Sequence, residues 1–471
     1  MSTTYSWADH RLFPASAEPG AKALLLGADH ASLFAIDRDA QETLERWCTR
    51  TAIVLDEAPS PDREMLEALR EARLLVPSIG ARGSALPAID PAAVPLGTLV
   101  LEAAQACNLR CAYCYAGGGS YGGPARLMRP ELARRAARFL VDSSGDRESI
   151  TLVLFGGEPL LNLPALEAAV LEGEAAAAER GKQFVVSLTT NGTRFTSKVV
   201  DFLGAHRIAV SVSIDGPPDV HDANRRYAGS NGGGSYADVV AGLELLRSST
   251  GRAPAARVTL TPDQWHRVGE VFDHVLALGF LEVGIAPSSP VRAELLPTPQ
   301  QDEALFGEFA QLAERFAREA KQGRVLAFSN LLDLLARLHH GQVKSAPCGA
   351  GLGYLALDTE GRLFLCHRFA GAKHFAVGDL DAGIDHAKIA ALLAEQAAGR
   401  EDACSACWAR SLCAGGCHYE NHLREVELGL PAGGSCDFIR RWIELGIRVY
   451  ASLCGDADAS VLAFLGRRAD G

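Results

Sequence analysis

No stretch of this 471-residue chain stays apolar over the roughly 20 residues that a membrane-spanning helix needs. Its amino terminus, MSTTYSWADH, lacks both the basic segment and the apolar core of a secretion signal. An excess of positive charge is missing too. Acidic residues number 57 against 46 basic ones, a net charge of -11. That balance argues against a nucleic-acid or anionic-membrane partner and fits a solvated acidic surface. These absences predict a cytoplasmic protein, in a compartment where disulfides are disfavoured. Twelve cysteines are therefore many.

Their spacing is uneven. Three fall within Cys107–Cys114 and seven between Cys348 and Cys436, while Cys48 and Cys454 stand alone. Tight clustering in a reducing compartment points to metal ligation. Scattered buried thiols would not form two dense groups. Cys48, on a predicted helix, reads as a small buried hydrophobe.

With 48% apolar and 22% charged residues the composition is that of a globular protein, and the length predicts two or three domains. Residues 1–90 read as a small separate domain. In it Lys22–Leu26 and Ser32–Ile36 form a hairpin, Asp37–Arg50 is helical, and Ser60-Pro61 starts a second helix. Ala81–Pro91, rich in Gly, Ala and Pro, reads as a linker. Residues 91–344 alternate strands and helices. The candidate strands are Thr98–Glu102, Ile150–Phe155, Phe184–Thr189, Ile208–Ile214, Arg257–Leu260 and Glu282–Ile285. A helix begins at Thr298-Pro299 with Leu305, Phe309, Leu312 and Phe316 on one face. Six such units predict an α/β fold with a parallel sheet, a partial (β/α)6 barrel whose chemistry sits after the strand C-termini. Residues 345–471 turn Gly- and Cys-rich and predict a domain organised by metal, with a helical tail, Ile439–Leu465, packed back on the barrel.

The loop after the first strand reads Cys107-Asn-Leu-Arg-Cys111-Ala-Tyr-Cys114. Three thiolates on one short loop can hold three irons of a four-iron cluster and leave the fourth open. Zinc is the competing reading, but three cysteines without a nearby fourth ligand suit a structural zinc site poorly. This pattern, with Tyr113 before the last cysteine, resembles the radical S-adenosylmethionine (SAM) family. The likeness continues at successive strand ends: Phe155-Gly156-Gly157-Glu158-Pro159, Thr190-Asn191-Gly192-Thr193, Ser211-Val-Ser213-Ile-Asp215-Gly216 and His221-Asp222-Ala-Asn-Arg225. The resemblance implies SAM and a [4Fe-4S] cluster on Cys107, Cys111 and Cys114. It implies SAM contacts from Tyr113, Gly156, Gly157, Glu158, Pro159, Asn191, Ser213, Asp215 and Arg225, with the Gly-Gly-Glu-Pro motif on the methionyl amino group and Arg225 on the carboxylate. His221 is either a supporting residue or a polar turn residue.

The later cysteines, Cys348, Cys366, Cys404, Cys407, Cys413, Cys417 and Cys436, resemble the SPASM auxiliary-cluster domain of peptide-modifying radical SAM enzymes. A zinc ribbon would need only four of the seven. The resemblance implies two further [4Fe-4S] clusters, three in all. One lies on Cys404, Cys407, Cys413 and Cys436, the other on Cys348, Cys366 and Cys417. Some relatives carry an eighth cysteine shortly after the first, but Gly349–Leu355 contains none. The second auxiliary cluster is then open to a substrate thiolate, unless Cys454 fills the place. Residues 20–80 resemble the winged-helix domain that recognises leader peptides of ribosomally made peptides, and a hairpin edge can accept a peptide as an added strand.

Gly118–Gly123 and Cys366-His367-Arg368-Phe369 resemble segments of thioether-forming maturases, both those of Cys-rich peptides and that of quinohemoprotein amine dehydrogenase. The implied activity is hydrogen abstraction by a 5′-deoxyadenosyl radical, followed by joining a cysteine sulfur to a side-chain or α carbon (for example, an Asp or Glu methylene) of a small leader-bearing peptide or protein. The implied electron donor is of flavodoxin or ferredoxin type. The competing readings are an anaerobic sulfatase-maturase-like enzyme that makes formylglycine, a carbon–carbon crosslinking maturase, and an iron–sulfur electron carrier without SAM chemistry.

Overall fold

The computed structural model describes residues 3–14, 22–78, 89–229, 232–398, 400–430, 434–456 and 459–468. Its centre is set by alternation along six strands. Leu99, Leu101 and Ala103 point to one side of the first strand, as do Ile150, Leu152 and Leu154 of the second, and all are buried. They pack under helices Pro130–Asp142 and Leu163–Glu179, whose facing residues are mostly alanine: Ala133, Ala136, Ala137, Ala165 and Ala169. Such small side chains let two helices and a sheet approach closely. The opposite faces of the strands look into the barrel.

All six predicted strands are present, as Thr98–Gln105, Ser149–Gly156, Gln183–Thr190, Ala209–Ser213, Ala255–Leu260 and Val283–Pro287. They lie side by side in that order, all parallel. Helix Pro299–Ala320 starts as expected, with a capping box on Thr298 and Gln301, and buries Leu305, Phe309, Leu312 and Phe316.

The expected boundary at residue 344 falls inside one continuous sheet. Tyr354–Leu357 runs parallel to the first barrel strand, with Tyr354 opposite Thr98. Arg362–Phe364, Ala376–Asp379 and Gly383–Ile384 extend the sheet antiparallel. The reason is physical: the first strand would otherwise present an unpaired edge. The tail forms helices Cys436–Asp456 and Ala459–Arg468. It packs back as expected, placing Val449, Leu453, Val461 and Leu465 in the same core as Leu305 and Phe309.

At the amino terminus the hairpin forms from Ala23–Gly27 and Ser32–Ile36. Asp37 caps helix Arg38–Trp47, and Pro61 lies in the first turn of helix Ser60–Glu71. Four strands were not anticipated. His10–Phe13 joins the hairpin, and Thr4–Trp7 lies between Ile53–Val54 and Leu75–Pro77. Their short length and mixed polarity hid them: Thr4–Trp7 is half-buried throughout, and His10-Arg-Leu holds no buried position. Most of the predicted linker lies outside the described residues. This segment shares a core with the Cys-rich region: Phe13, Leu24 and Leu26 pack with Ala409, Leu412, Ile443 and Ile447. Arg410, only 4% exposed, pairs with Asp9 at 2.5 Å and also with Asp29. No described helix is long and apolar enough to cross a membrane.

Candidate functional site

The three-cysteine loop is held from both sides. Leu109–Cys111 forms a short antiparallel ladder with Arg225–Tyr227, which sets Arg225 directly opposite Cys111. On the other side Gly156 has φ +138°, and a Cβ there would lie 2.4 Å from the Ala104 carbonyl oxygen. A Cβ on Gly157 would lie 2.4 Å from the Ala106 oxygen and 2.7 Å from the Gly119 Cα. Three backbone segments thus touch where only glycine fits. Backbone bonds from Gly157 to Ala104 (2.7 Å) and from Glu158 to Ala106 (2.9 Å) fasten the contact.

Glu158 is fully buried, and its carboxylate accepts from the Leu160 amide (3.0 Å), the Thr190 hydroxyl (2.8 Å) and the Asn191 amide (2.7 Å). The side chain is thus committed to tying the second strand end to the third. Pro159 opens the short turn Pro159–Asn162 behind it. The Asn191 side chain is equally committed. Its Nδ2 donates to Asn108 at 2.9 Å and to the Cys107 sulfur at 3.7 Å, and its Oδ1 accepts from Thr193.

Tyr113, Asp215 and Arg225 form one buried unit. The Tyr113 hydroxyl donates to Asp215 at 2.5 Å and accepts from Arg225 Nη1 at 2.6 Å. Arg225 and Asp215 stand 3.8 Å apart, and the Thr259 amide also donates to Asp215. Burial raises the Asp215 carboxyl, and Arg225 opposes the shift. Arg225 Nε is buried without a partner among the described residues. His221 proves to be a supporting residue. Its Nδ1 accepts from the Asp215 amide, and its Nε2 meets Ser235, which donates to the Arg225 carbonyl. Burial and then Arg225 push its imidazole down to about 3, so it is neutral. Ser213 ends the fourth strand on the barrel's inner face.

The cysteines gather in three sets. Cys107 interacts with Cys111 and Cys114, and burial pushes its thiol up to about 11. Cys366 interacts with Cys417 and Cys348, and burial pushes it up to about 12. Cys436 interacts with Cys413, Cys404 and Cys407. All twelve thiols are free. Cys454 belongs to none of the sets. It lies on the same helix as Cys436, 18 residues further on, about 27 Å along the axis. Cys48 is exposed, contrary to the expectation of a buried thiol, because helix Arg38–Trp47 buries Thr43, Leu44 and Trp47 instead.

These groups fit iron–sulfur clusters better than zinc. Zinc gathers its ligands at about 2.0–2.3 Å. Among the described residues no three His, Cys, Asp or Glu side chains converge tightly enough to hold a single ion. A polynuclear cluster spreads its thiolates more widely.

Sequence reasoning missed the groups between the first two cysteine sets. Arg368 stacks on Tyr115 and Tyr419, donates to Glu420 at 2.6 Å and Ser289 at 2.8 Å, and reaches the Cys417 sulfur at 3.9 Å. Glu102, on the first barrel strand, is fully buried. Tyr121 donates to it at 3.0 Å, its other oxygen has no partner among the described residues, and burial pushes its carboxyl up to about 8. Nothing local in the sequence marked Glu102 as facing inward.

Residues 101–271 match the family model described as the radical SAM superfamily. That span runs from the first barrel strand through the cysteine loop to the fifth strand and beyond, so the match covers the barrel and the loop that carries its three cysteines. Over 334 residues the chain is 25% identical to a serine-type anaerobic sulfatase-maturating enzyme of Klebsiella aerogenes, covering 69% of this chain and 80% of that protein. It is 25% identical over 161 residues to the radical SAM cyclopropyl synthase TigE of Paramaledivibacter caminithermalis, 32% of each chain. The solved structure of anSMEcpe with bound AdoMet superposes with a TM-score of 0.64 at 18% identity, covering 79% of this chain and 98% of that one. Streptococcus suis SuiB bound to its precursor peptide SuiA gives 0.52 at 14% identity, covering 91% and 98%. At such identities the structures establish a shared fold.

Proposed function

We propose that the protein is a peptide maturase that joins a cysteine sulfur to a carbon of the same small, ribosomally made peptide. The observation that carries this reading is the unequal pair of auxiliary cysteine sets, four thiols in one and three in the other, with Cys454 remote from both. A three-thiol set suits a cluster with one iron open to a substrate thiolate. When bound, the clusters and SAM supply reductive cleavage to a 5′-deoxyadenosyl radical and an acceptor for the surplus electron.

The chain's own residues prepare the site. Gly156, Gly157 and Gly119 bring backbone against the cysteine loop, with Glu158 and Asn191 holding it. Arg225, oriented by Tyr113 and Asp215, keeps a free Nε for the SAM carboxylate. Ser213 contributes its hydroxyl from the fourth strand end. Two relatives support a peptide as substrate: one is named as a sulfatase-maturating enzyme, and another was solved with a precursor peptide. The SuiB likeness reaches over most of the chain, which supports leader recognition by residues 1–90. Electrons would come from a flavodoxin- or ferredoxin-type donor in the cytoplasm, and the Asp or Glu methylene of a quinohemoprotein-type subunit is one substrate carbon that fits.

The sulfatase-maturating relatives favour a second reading, oxidation of a substrate Cys or Ser to formylglycine. Spectroscopy of the auxiliary clusters separates the two. We expect the Cys348 set to change its iron spectrum when a Cys-containing peptide is added, and not with its Cys→Ser counterpart. An unchanged spectrum would remove the open-site account.

A further inference from the structure

The inner face of the barrel is short of charge. Ala256, Val258 and Leu260 of the fifth strand pack outward in the core. Strand alternation therefore turns Ala255, Arg257 and Thr259 inward. By the same parity the second, third and fourth strands line the interior with Thr151, Val153, Phe155, Val185, Ser187 and Ser213. Beyond the strand ends, Arg257 and Glu102 are the two charged side chains on this face, and Glu102 is already bonded to Tyr121.

Arg257 differs from the other arginines around it. Arg267, Arg315 and Arg468 all pair with carboxylates. Arg257 makes no side-chain hydrogen bond or ion pair with a described residue, and it is exposed although it sits in mid-sheet. It lies in register between Ser213 and Gly284. A Cβ on Gly284 would stand 2.8 Å from Arg257 Nη1, so the guanidinium lies across the sixth strand where glycine leaves room. A planar guanidinium with its donors free is matched to a carboxylate.

We propose that Arg257 is a substrate-reading residue: it binds a side-chain carboxylate, Asp or Glu, of the peptide, and so holds the adjoining carbons within the barrel. This rests on the maturase reading. SAM carries a single carboxylate, and Arg225 already stands against the cysteine loop with a free Nε to receive it. The second guanidinium, on the fifth barrel strand, has no such partner among the described residues.

The test uses the full-length, iron-loaded enzyme with SAM and the small Cys-containing peptide encoded beside its gene. In Arg257→Gln, iron content and the SAM Kd should match the wild type, while kcat/KM for the peptide falls tenfold or more. Arg257→Lys should recover part of the loss. Changing one Asp or Glu of the peptide to its amide should cost the wild type a similar factor and cost Arg257→Gln nothing further. A weaker SAM Kd in Arg257→Gln would overturn the proposal by assigning the guanidinium to SAM's own carboxylate. An unchanged kcat/KM, or efficient modification of a peptide without any Asp or Glu, would also overturn it. If the wild type leaves the peptide unaltered, the maturase reading fails and this inference with it. Modification that survives Arg257→Gln removes the inference alone.

Discussion

On the proposed reading Cys107, Cys111 and Cys114 carry the chemistry, and replacing all three with Ala should abolish SAM cleavage while iron stays on the other sets. Persistent formation of 5′-deoxyadenosine would show that the site is elsewhere. Glu102 allows a second test at this scale. Its folded pKa, about 8, lies above the ordinary value of 4.5, so the folded state favours the protonated form. Stability should therefore be greatest below pH 4.5 and fall as pH rises towards 8. By pH 7 the cost is about 3 kcal/mol. Glu102→Gln, which cannot ionise, should gain Tm relative to the wild type as pH rises from 5 to 8. A pH-independent difference between the two melting curves would contradict the assignment. The cysteine sets were legible because thiols clustered at short spacings have few other uses. Glu102 and Arg257 were not, since nothing local says which face of a strand turns inward.

The loops at the strand ends work because the elements beneath them are regular. The six barrel strands could be read from their apolar runs, which are long enough to be buried on the helix side. The strand Tyr354–Leu357 could not, because its partner, Thr98–Gln105, lies some 250 residues earlier in the chain. The same holds for the seam between the amino-terminal segment and the Cys-rich loops, whereas His10–Phe13, paired with the nearby hairpin, was hidden by its mixed polarity. That seam rests on Arg410, which bonds to the Ser405 carbonyl as well as to Asp9 and Asp29. Arg410→Ala should destabilise by about 1–3 kcal/mol, since it leaves carboxylates facing a buried seam. It should also loosen iron bound by the set containing Cys407 and Cys413. Iron content and thermal melting measure both effects, and a variant with full iron and unchanged Tm would show that the seam is incidental.

For the whole molecule, complete loading should give about twelve irons, four for each of three clusters. A plateau near four would remove the auxiliary sets from the account. Deleting residues 1–85 should weaken leader-peptide binding more than SAM cleavage, but the shared core of Phe13, Leu24 and Leu412 means that auxiliary iron should fall as well. Equal loss of binding and cleavage would make the segment structural only. The most direct test of the central claim is an accurate mass of the neighbouring Cys-containing peptide after co-production with the enzyme. The account predicts loss of two hydrogens per modified cysteine, with sulfur retained and thiol alkylation blocked. Loss of sulfur would contradict it in favour of formylglycine made from cysteine, and loss of two hydrogens with every thiol still free would contradict it in favour of formylglycine made from serine or a carbon–carbon bond.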